Sequence, residues 1–109
     1  MSYKVLAIPN FSSELKRLVR KYPSLKKEIA ILFIDLAINP KQGVSLGSNC
    51  FKIRLAISLK RSGKSGGARI ITNLKISHAK VYMLSIYDKP EIDSISRKEI
   101  DDLVKLLPE

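Results

Sequence analysis

The spacing of hydrophobic positions changes along the chain, and the change marks out its elements. Residues 3–8 are rich in apolar and β-branched side chains and predict a short strand, ended by Pro9-Asn10. Leu15, Leu18, Val19 and Tyr22 then fall at i, i+3, i+4 and i+7, one face of a helix, with Lys16, Arg17, Arg20 and Lys21 off that face. Ser12 or Ser13 is the expected cap and Pro23 the stop. Ser24 is expected to cap a second helix, with Leu25, Ile29, Leu32, Phe33 and Leu36 on its core face and Asn39-Pro40 at its end. Ile31, Ile34 and Ile38 widen its apolar surface beyond one stripe. Such a helix is either deeply buried or covered in part by another chain. The short Pro-Ser turn makes the two helices a hairpin.

From Gly43 onward the period becomes two. In residues 50–57, Phe51, Ile53, Leu55 and Ile57 point one way and Lys52 and Arg54 the other. Residues 68–76 and 80–87 predict two more strands, joined by Ser77-His78-Ala79. Ser96 and Glu99 have the spacing of a capping box. They open a helix over 97–107 with Ile100, Leu103, Val104 and Leu107 on its apolar face. The expected order is β-α-α-β-β-β-α in one domain, residues 1–109. That is an α+β fold: a small twisted antiparallel sheet, the helical hairpin on one face, and a C-terminal helix. Lys52 and Arg54 belong to the other face.

Composition alters this picture in one respect. Apolar content of 45% is ordinary and excludes a disordered chain. The charge is not ordinary, at a formal +10. Residues 36–87 hold nine Lys and Arg and no acid at all, whereas residues 88–109 hold four basic and seven acidic residues. A stretch that cannot neutralise itself attracts a polyanion. Nucleic acid is the first candidate, then an anionic membrane surface, then an acidic protein; a plain solvated surface is the ordinary alternative. Cys50 is the single cysteine, so no internal disulfide forms. No apolar run is long enough to span a membrane, and residues 1–11 do not have the features of a signal peptide. The expected location is the cytoplasm.

Gly63-Lys64-Ser65 matches the end of a phosphate-binding loop, but the glycine required five positions earlier is Ser58. Gly66-Gly67 also leads into a strand rather than a helix, and no acid is at hand for Mg²⁺. Nucleotide hydrolysis is therefore not expected. Gly63, Gly66 and Gly67 still permit positive φ and close approach to an anion, and Lys60, Arg61, Lys64 and Arg69 surround them. The loop is either a basic hairpin connection or a cradle for a nucleic-acid backbone. His78, the only histidine, reads as a turn residue. One His and one Cys cannot fill a metal-ligand set, so no metal and no small-molecule cofactor are expected. Tyr87-Asp88-Lys89 ends the last strand. Tyr87 could stack on a base or transfer a proton, and Lys89 could meet a phosphate; a plain strand end explains them equally well.

Three separated pieces carry a resemblance: Lys52-Ile53-Arg54, the run 63–71 (Gly-Lys-Ser-Gly-Gly-Ala-Arg-Ile-Ile), and the run 84–91 (Leu-Ser-Ile-Tyr-Asp-Lys-Pro-Glu). With these the chain resembles the RelE/ParE superfamily of bacterial type II toxins, and looks most like the HigB-type branch close to RelE. The resemblance covers residues 40–95 by motif and the remainder by element order. It implies a RelE-like fold and a ribosome-dependent endoribonuclease (an mRNA interferase), acting in the 30S A site on translated mRNA. The implied chemistry is metal-independent attack of a 2′-OH on the adjacent phosphate. Lys52 and Arg54 match the family's basic pair, with Arg54 in place of a lysine. Arg69 matches its arginine after the glycine turn, a stabiliser of transition-state charge. Lys89 stands where RelE has an arginine. The family's C-terminal tyrosine aligns with Ile95, a departure that leaves base and acid unassigned, with Tyr87 or Lys64 as replacements. The implied site is thus Arg54, Lys64, Arg69, Tyr87 and Lys89, with Lys52, Lys60 and Arg61 binding RNA.

A cognate antitoxin is implied as partner, acidic where it meets residues 36–87. The apolar surface of helix 24–38 and the acidic helix 97–107 are available to it. Two other functions fit the same fold: a ParE-like inhibitor of DNA gyrase without nuclease activity, and a catalytically inactive nucleic-acid-binding relative. Fold does not choose among them.

Overall fold

The computed structural model describes residues 2–92 and 94–108. In chain order the elements are β1 (Lys4–Ala7), α1 (Pro9–Lys21), α2 (Leu25–Ile38), β2 (Val44–Gly47), β3 (Cys50–Leu55), β4 (Ala68–Lys75), β5 (Lys80–Asp88) and α3 (Arg97–Val104). The α+β class and the helical hairpin are as expected. The strands form one five-stranded sheet in the order β1-β5-β4-β3-β2. β1 runs parallel to β5, and the other neighbours are antiparallel. The sheet is thus mixed at one edge.

Three local expectations change. Pro9 opens α1 rather than only ending β1: Ile8 is the extended N-cap, and Ser12 and Ser13 lie inside the helix. Proline suits the first helical turn because its missing N–H has no partner there and its φ is already helical. Ser24 makes no capping bond; its Oγ donates to Glu28 Oε1 at 3.3 Å instead. The strand β2 was not expected. It is four residues long and joins β3 through Ser48 and Asn49, both at positive φ, the backbone of a two-residue hairpin. The capping box forms as expected, with Glu99 N donating to Ser96 Oγ at 3.1 Å.

Register sorts the sheet into two faces, because side chains alternate along a strand. Ile53, Ile70 and Ile86 lie in one row, and Leu55, Ala68 and Asp88 in the next on the same side. There Asp88 meets the hydroxyl of Tyr22 at the end of α1. Phe11, Leu18, Leu25 and Leu36 of the hairpin are fully buried in the core that includes this side. The opposite face carries the rows Lys52–Ile71–Ser85 and Arg54–Arg69–Tyr87.

β1 pairs only with residues 80–83, so the far half of β5 has no β1 neighbour. Side chains of α1 satisfy that edge. Asn10 Nδ2 donates to Leu84 O at 3.0 Å, and Glu14 Oε1 accepts from Ile86 N at 3.3 Å and Ser85 Oγ at 2.9 Å. Burial raises the Glu14 carboxyl above its ordinary range, while these hydrogen bonds and the charge of Arg17 pull it back. Among the described residues, no helix is long and apolar enough to cross a membrane.

Candidate nucleic-acid interface

Arg54 on β3 stands directly opposite Arg69 on β4, and Arg69 opposite Tyr87 on β5. Like charges placed opposite each other across strands destabilise a sheet. Here the two arginines nevertheless stand opposite each other, one exposed and one buried. Beside them lies a groove of about 310 Å³ lined by Gln42, Gly43, Val44, Lys52, Ile53, Arg54 and Lys64. Three cations line it and no acid does.

The loop 61–67 is built around Arg69. The guanidinium donates to the carbonyls of Lys64 at 2.8 Å, Ala68 at 3.2 Å and Ser65 at 3.5 Å. Arg69 is 6% exposed, so a buried cation is held by backbone dipoles. The loop therefore turns carbonyls toward Arg69. Only Gly63 of its three glycines has positive φ. Gly67 serves a close approach: a Cβ there would stand 2.1 Å from Leu55 O. The left-handed position at the loop's start is taken by Arg61.

Tyr87 is 2% exposed, and its hydroxyl is buried without a hydrogen-bond partner among the described residues. A ring so enclosed presents no face for base stacking in this arrangement. Lys89 follows β5 half-buried, its N–H donating to Gly67 O at 3.1 Å, which ties it to the same loop. Ile95 lines a recess of about 180 Å³ with Lys52, Ile71 and Arg97. Ile95, the position that the resemblance sets against the family's tyrosine, is thus an apolar part of this recess. Arg97 is already engaged, with Asp101 at 3.0 Å and Leu46 O at 2.7 Å.

Lys60 is not brought to this face. Its ammonium donates to Asp88 Oδ1 at 2.6 Å, on the side of the hairpin, and Tyr22 donates to Asp88 Oδ2 at 3.2 Å. Glu28 Oε2 of α2 accepts from Ser58 N at 3.1 Å and from Ser58 Oγ. Two carboxylates therefore anchor the start of the basic loop to the helices. The sequence held a signal for one of them. Asp88 is the first acid after a 52-residue stretch without any, and it ends a buried strand, so it needed a cation from that stretch. Cys50 is buried, accepting from Asn73 Nδ2 at 3.4 Å, and His78 is exposed in the turn before β5.

No family sequence model matches the chain, and no curated protein shows a significant sequence match. Solved structures do match. A double mutant of the Escherichia coli toxin RelE in the free state superposes with TM-score 0.64 at 15% identity, covering 98% of this chain and all of that one. The fold is that of RelE. The RelBE2 toxin–antitoxin complex of Mycobacterium tuberculosis gives 0.60 at 16% identity over 81% of this chain and 99% of that one. Isolated E. coli RelE gives 0.55 at 17% identity, over 97% of this chain and all of that one. At these identities the likeness is one of fold.

Proposed function

We propose that this protein is the toxin of a toxin–antitoxin pair and a metal-independent endoribonuclease that cuts translated mRNA in the ribosomal 30S A site. The observation that carries the reading is the opposed pair Arg54–Arg69 beside a groove lined by Lys52 and Lys64, with no acid among its lining residues. The RelE-like fold supports it, as does the resemblance of the motifs, which lies nearest the HigB-type branch. The RelBE2 complex supports an antitoxin partner, and the acid-free stretch favours one that is acidic where it meets residues 36–87.

In the proposed reaction the 2′-oxygen of the RNA forms a bond to the adjacent phosphorus, and the bond from phosphorus to the 5′-oxygen breaks. The 2′ proton leaves to a base, and the departing 5′-oxygen takes a proton from an acid. The products are a 2′,3′-cyclic phosphate and a 5′-hydroxyl. Arg54 and Arg69 stay charged throughout, so they stabilise the negative charge that builds on the phosphoryl oxygens. Lys52 and Lys64 are the groove's amines and can carry protons. Tyr87, opposite Arg69 across the strands and with no hydrogen-bond partner for its hydroxyl among the described residues, is the donor assigned to the phosphate in this reading. In this reading Lys89, whose backbone N–H is tied to the same loop, protonates or contacts the leaving group. Arg61 gives the RNA backbone an exposed cation, and Lys60 holds the loop through Asp88.

The test is cleavage of a labelled mRNA on purified ribosomes, with the product ends analysed. Wild type is expected to leave 2′,3′-cyclic phosphate ends. Arg54→Ala, an exposed change that leaves the fold intact, is expected to cut roughly 10²–10³-fold more slowly. Absence of cutting together with inhibition of DNA supercoiling would replace this reading with the gyrase-directed one. Absence of both would leave the inactive nucleic-acid-binding relative.

A further inference from the structure

At the end of the sheet away from the arginine pair, three lysines stand in one row. Lys75 on β4 is opposite Lys80 on β5, and Lys80 is opposite Lys4 on β1. Directly opposed residues share a face, so the three side chains leave the sheet on the same side. That side is the one that carries Arg69. β4 alternates without interruption from Arg69 to Lys75, and the irregularity in its pairing falls on β5, where Ile71 and Thr72 face Ser85 and Met83 and Leu84 is passed over. At the spacing of neighbouring strands the row is about 10 Å long. Lys4 is exposed, and Lys75 and Lys80 are half-buried. A lysine so placed covers the sheet with its stem and keeps its amine in water.

Like charges directly opposite each other cost stability, and here three stand together. None of them takes part in an ion pair among the described residues, where the pairs are made by Arg17, Lys21, Lys60, Arg97 and Lys98. Lys75 and Lys80 also belong to the stretch 36–87, which holds no acid. The row is separate from the other cations. Lys16, Arg20 and Lys26 rim a groove of the hairpin, on the other side of the sheet. Lys75 is six residues from Arg69, about 20 Å along the strand. Between them lies the row Lys52–Ile71–Ser85, where α3 forms recesses with Lys52 and Ile71 at one end and Ser85 at the other. α3 does not extend the cationic surface, because Arg97 and Lys98 are paired with Asp101 and Asp102.

We propose that Lys4, Lys75 and Lys80 hold the phosphate backbone of a nucleic-acid duplex, at a site apart from the one that meets the strand to be cut. Phosphate contacts position a nucleic acid without reading its bases. The choice of a duplex follows from the surface around the row. Proteins hold single strands by stacking bases on aromatic rings as well as by charge. No Phe or Tyr among the described residues is exposed. A duplex keeps its bases stacked inside and presents its backbone charge at the surface, which three amines in line can meet. The inference uses none of the residues of the proposed cleavage site, so it stands or falls apart from that reading.

The probe is a short blunt-ended RNA duplex, followed by backbone amide NMR shifts of the full chain and by affinity at several salt concentrations. The expected shifts gather at Lys4, Lys75 and Lys80. Lys75→Gln with Lys80→Gln is expected to weaken duplex binding about tenfold at ~0.1 M salt and to lower the log–log salt slope by about two ions. The double variant is expected to melt no lower than wild type, since it removes opposed like charges. A single-stranded RNA of the same length is expected to shift Lys52 and Arg54 equally in both proteins. Duplex shifts confined to Lys52, Arg54 and Lys64 would overturn the proposal, as would no binding of the duplex, or an unchanged salt slope in the double variant. Phosphatidylserine vesicles that bind through Lys75, Lys80 and the 52% exposed Ile76, with no response to the duplex, would overturn it in favour of a membrane surface.

Discussion

At Tyr87 a single atom tells stability apart from the proposed chemistry. Its hydroxyl is buried with no hydrogen-bond partner among the described residues, which costs folding free energy that a phenylalanine would not lose. Tyr87→Phe is therefore expected to raise unfolding stability in urea by about 1 kcal/mol, and to lower RNA cleavage about tenfold or more, since a positioned proton donor contributes at least that much. Unchanged cleavage would remove Tyr87 from the chemistry. Arg69 behaves differently, because it pairs with Arg54 across the strands while its guanidinium holds the loop carbonyls. Arg69→Lys keeps the charge but loses the fork geometry. Both loop order, read by amide exchange at residues 62–67, and cleavage are expected to fall. These residues were legible as a cationic set from their alternation and from the absence of acid. Their division of labour was not, because only coordinates show Lys60 spent on Asp88 and Tyr87 enclosed.

At the scale of elements, the link between hairpin and loop is the feature most open to test. Lys60 is 14% exposed and Asp88 2%, so the pair is shielded from water. Asp88→Asn leaves the Lys60 ammonium without its counter-charge, and a loss of about 3–5 kcal/mol is expected in denaturant unfolding. Glu14 gives a pH signature at the β5 edge. Its folded value is raised above 4.5 by burial, so the folded state holds the proton more tightly than the unfolded one. Its contribution to stability therefore falls as pH rises above 4.5 through the folded value. Glu14→Gln is expected to flatten that part of the thermal-stability profile. The long strands β3, β4 and β5 and the Ser96–Glu99 box were legible because each carries a period or a motif. β2 was not. Its four residues, Val-Ser-Leu-Gly, are too few to show alternation, and Leu46 is its only residue with reduced exposure. The start of α1 was misplaced because proline reads both as a strand stop and as a helix opener, and only the chain's turn at Ile8 decides. Pairing of β1 with β5, parallel and distant in sequence, leaves no local signal at all.

For the whole molecule, the formal +10 and the acid-free stretch 36–87 set how it meets a polyanion. Binding to single-stranded RNA is expected to weaken steeply with salt, and Arg61→Ala to reduce the log–log slope by about one ion without changing sequence preference. An unchanged slope would take Arg61 out of the RNA path. The sheet then divides the molecule: the cations of the proposed RNA site on one face, the hairpin with its own cationic groove on the other. The central claim is that the Arg54–Arg69 face cuts RNA on the ribosome, and the most direct test is induced expression in a bacterial cell with mapping of mRNA 5′ ends for wild type and Arg54→Ala. New ends inside translated reading frames, absent from untranslated RNA and lost in the variant, are the predicted result. Growth arrest without new ends, or identical ends in both proteins, would contradict it.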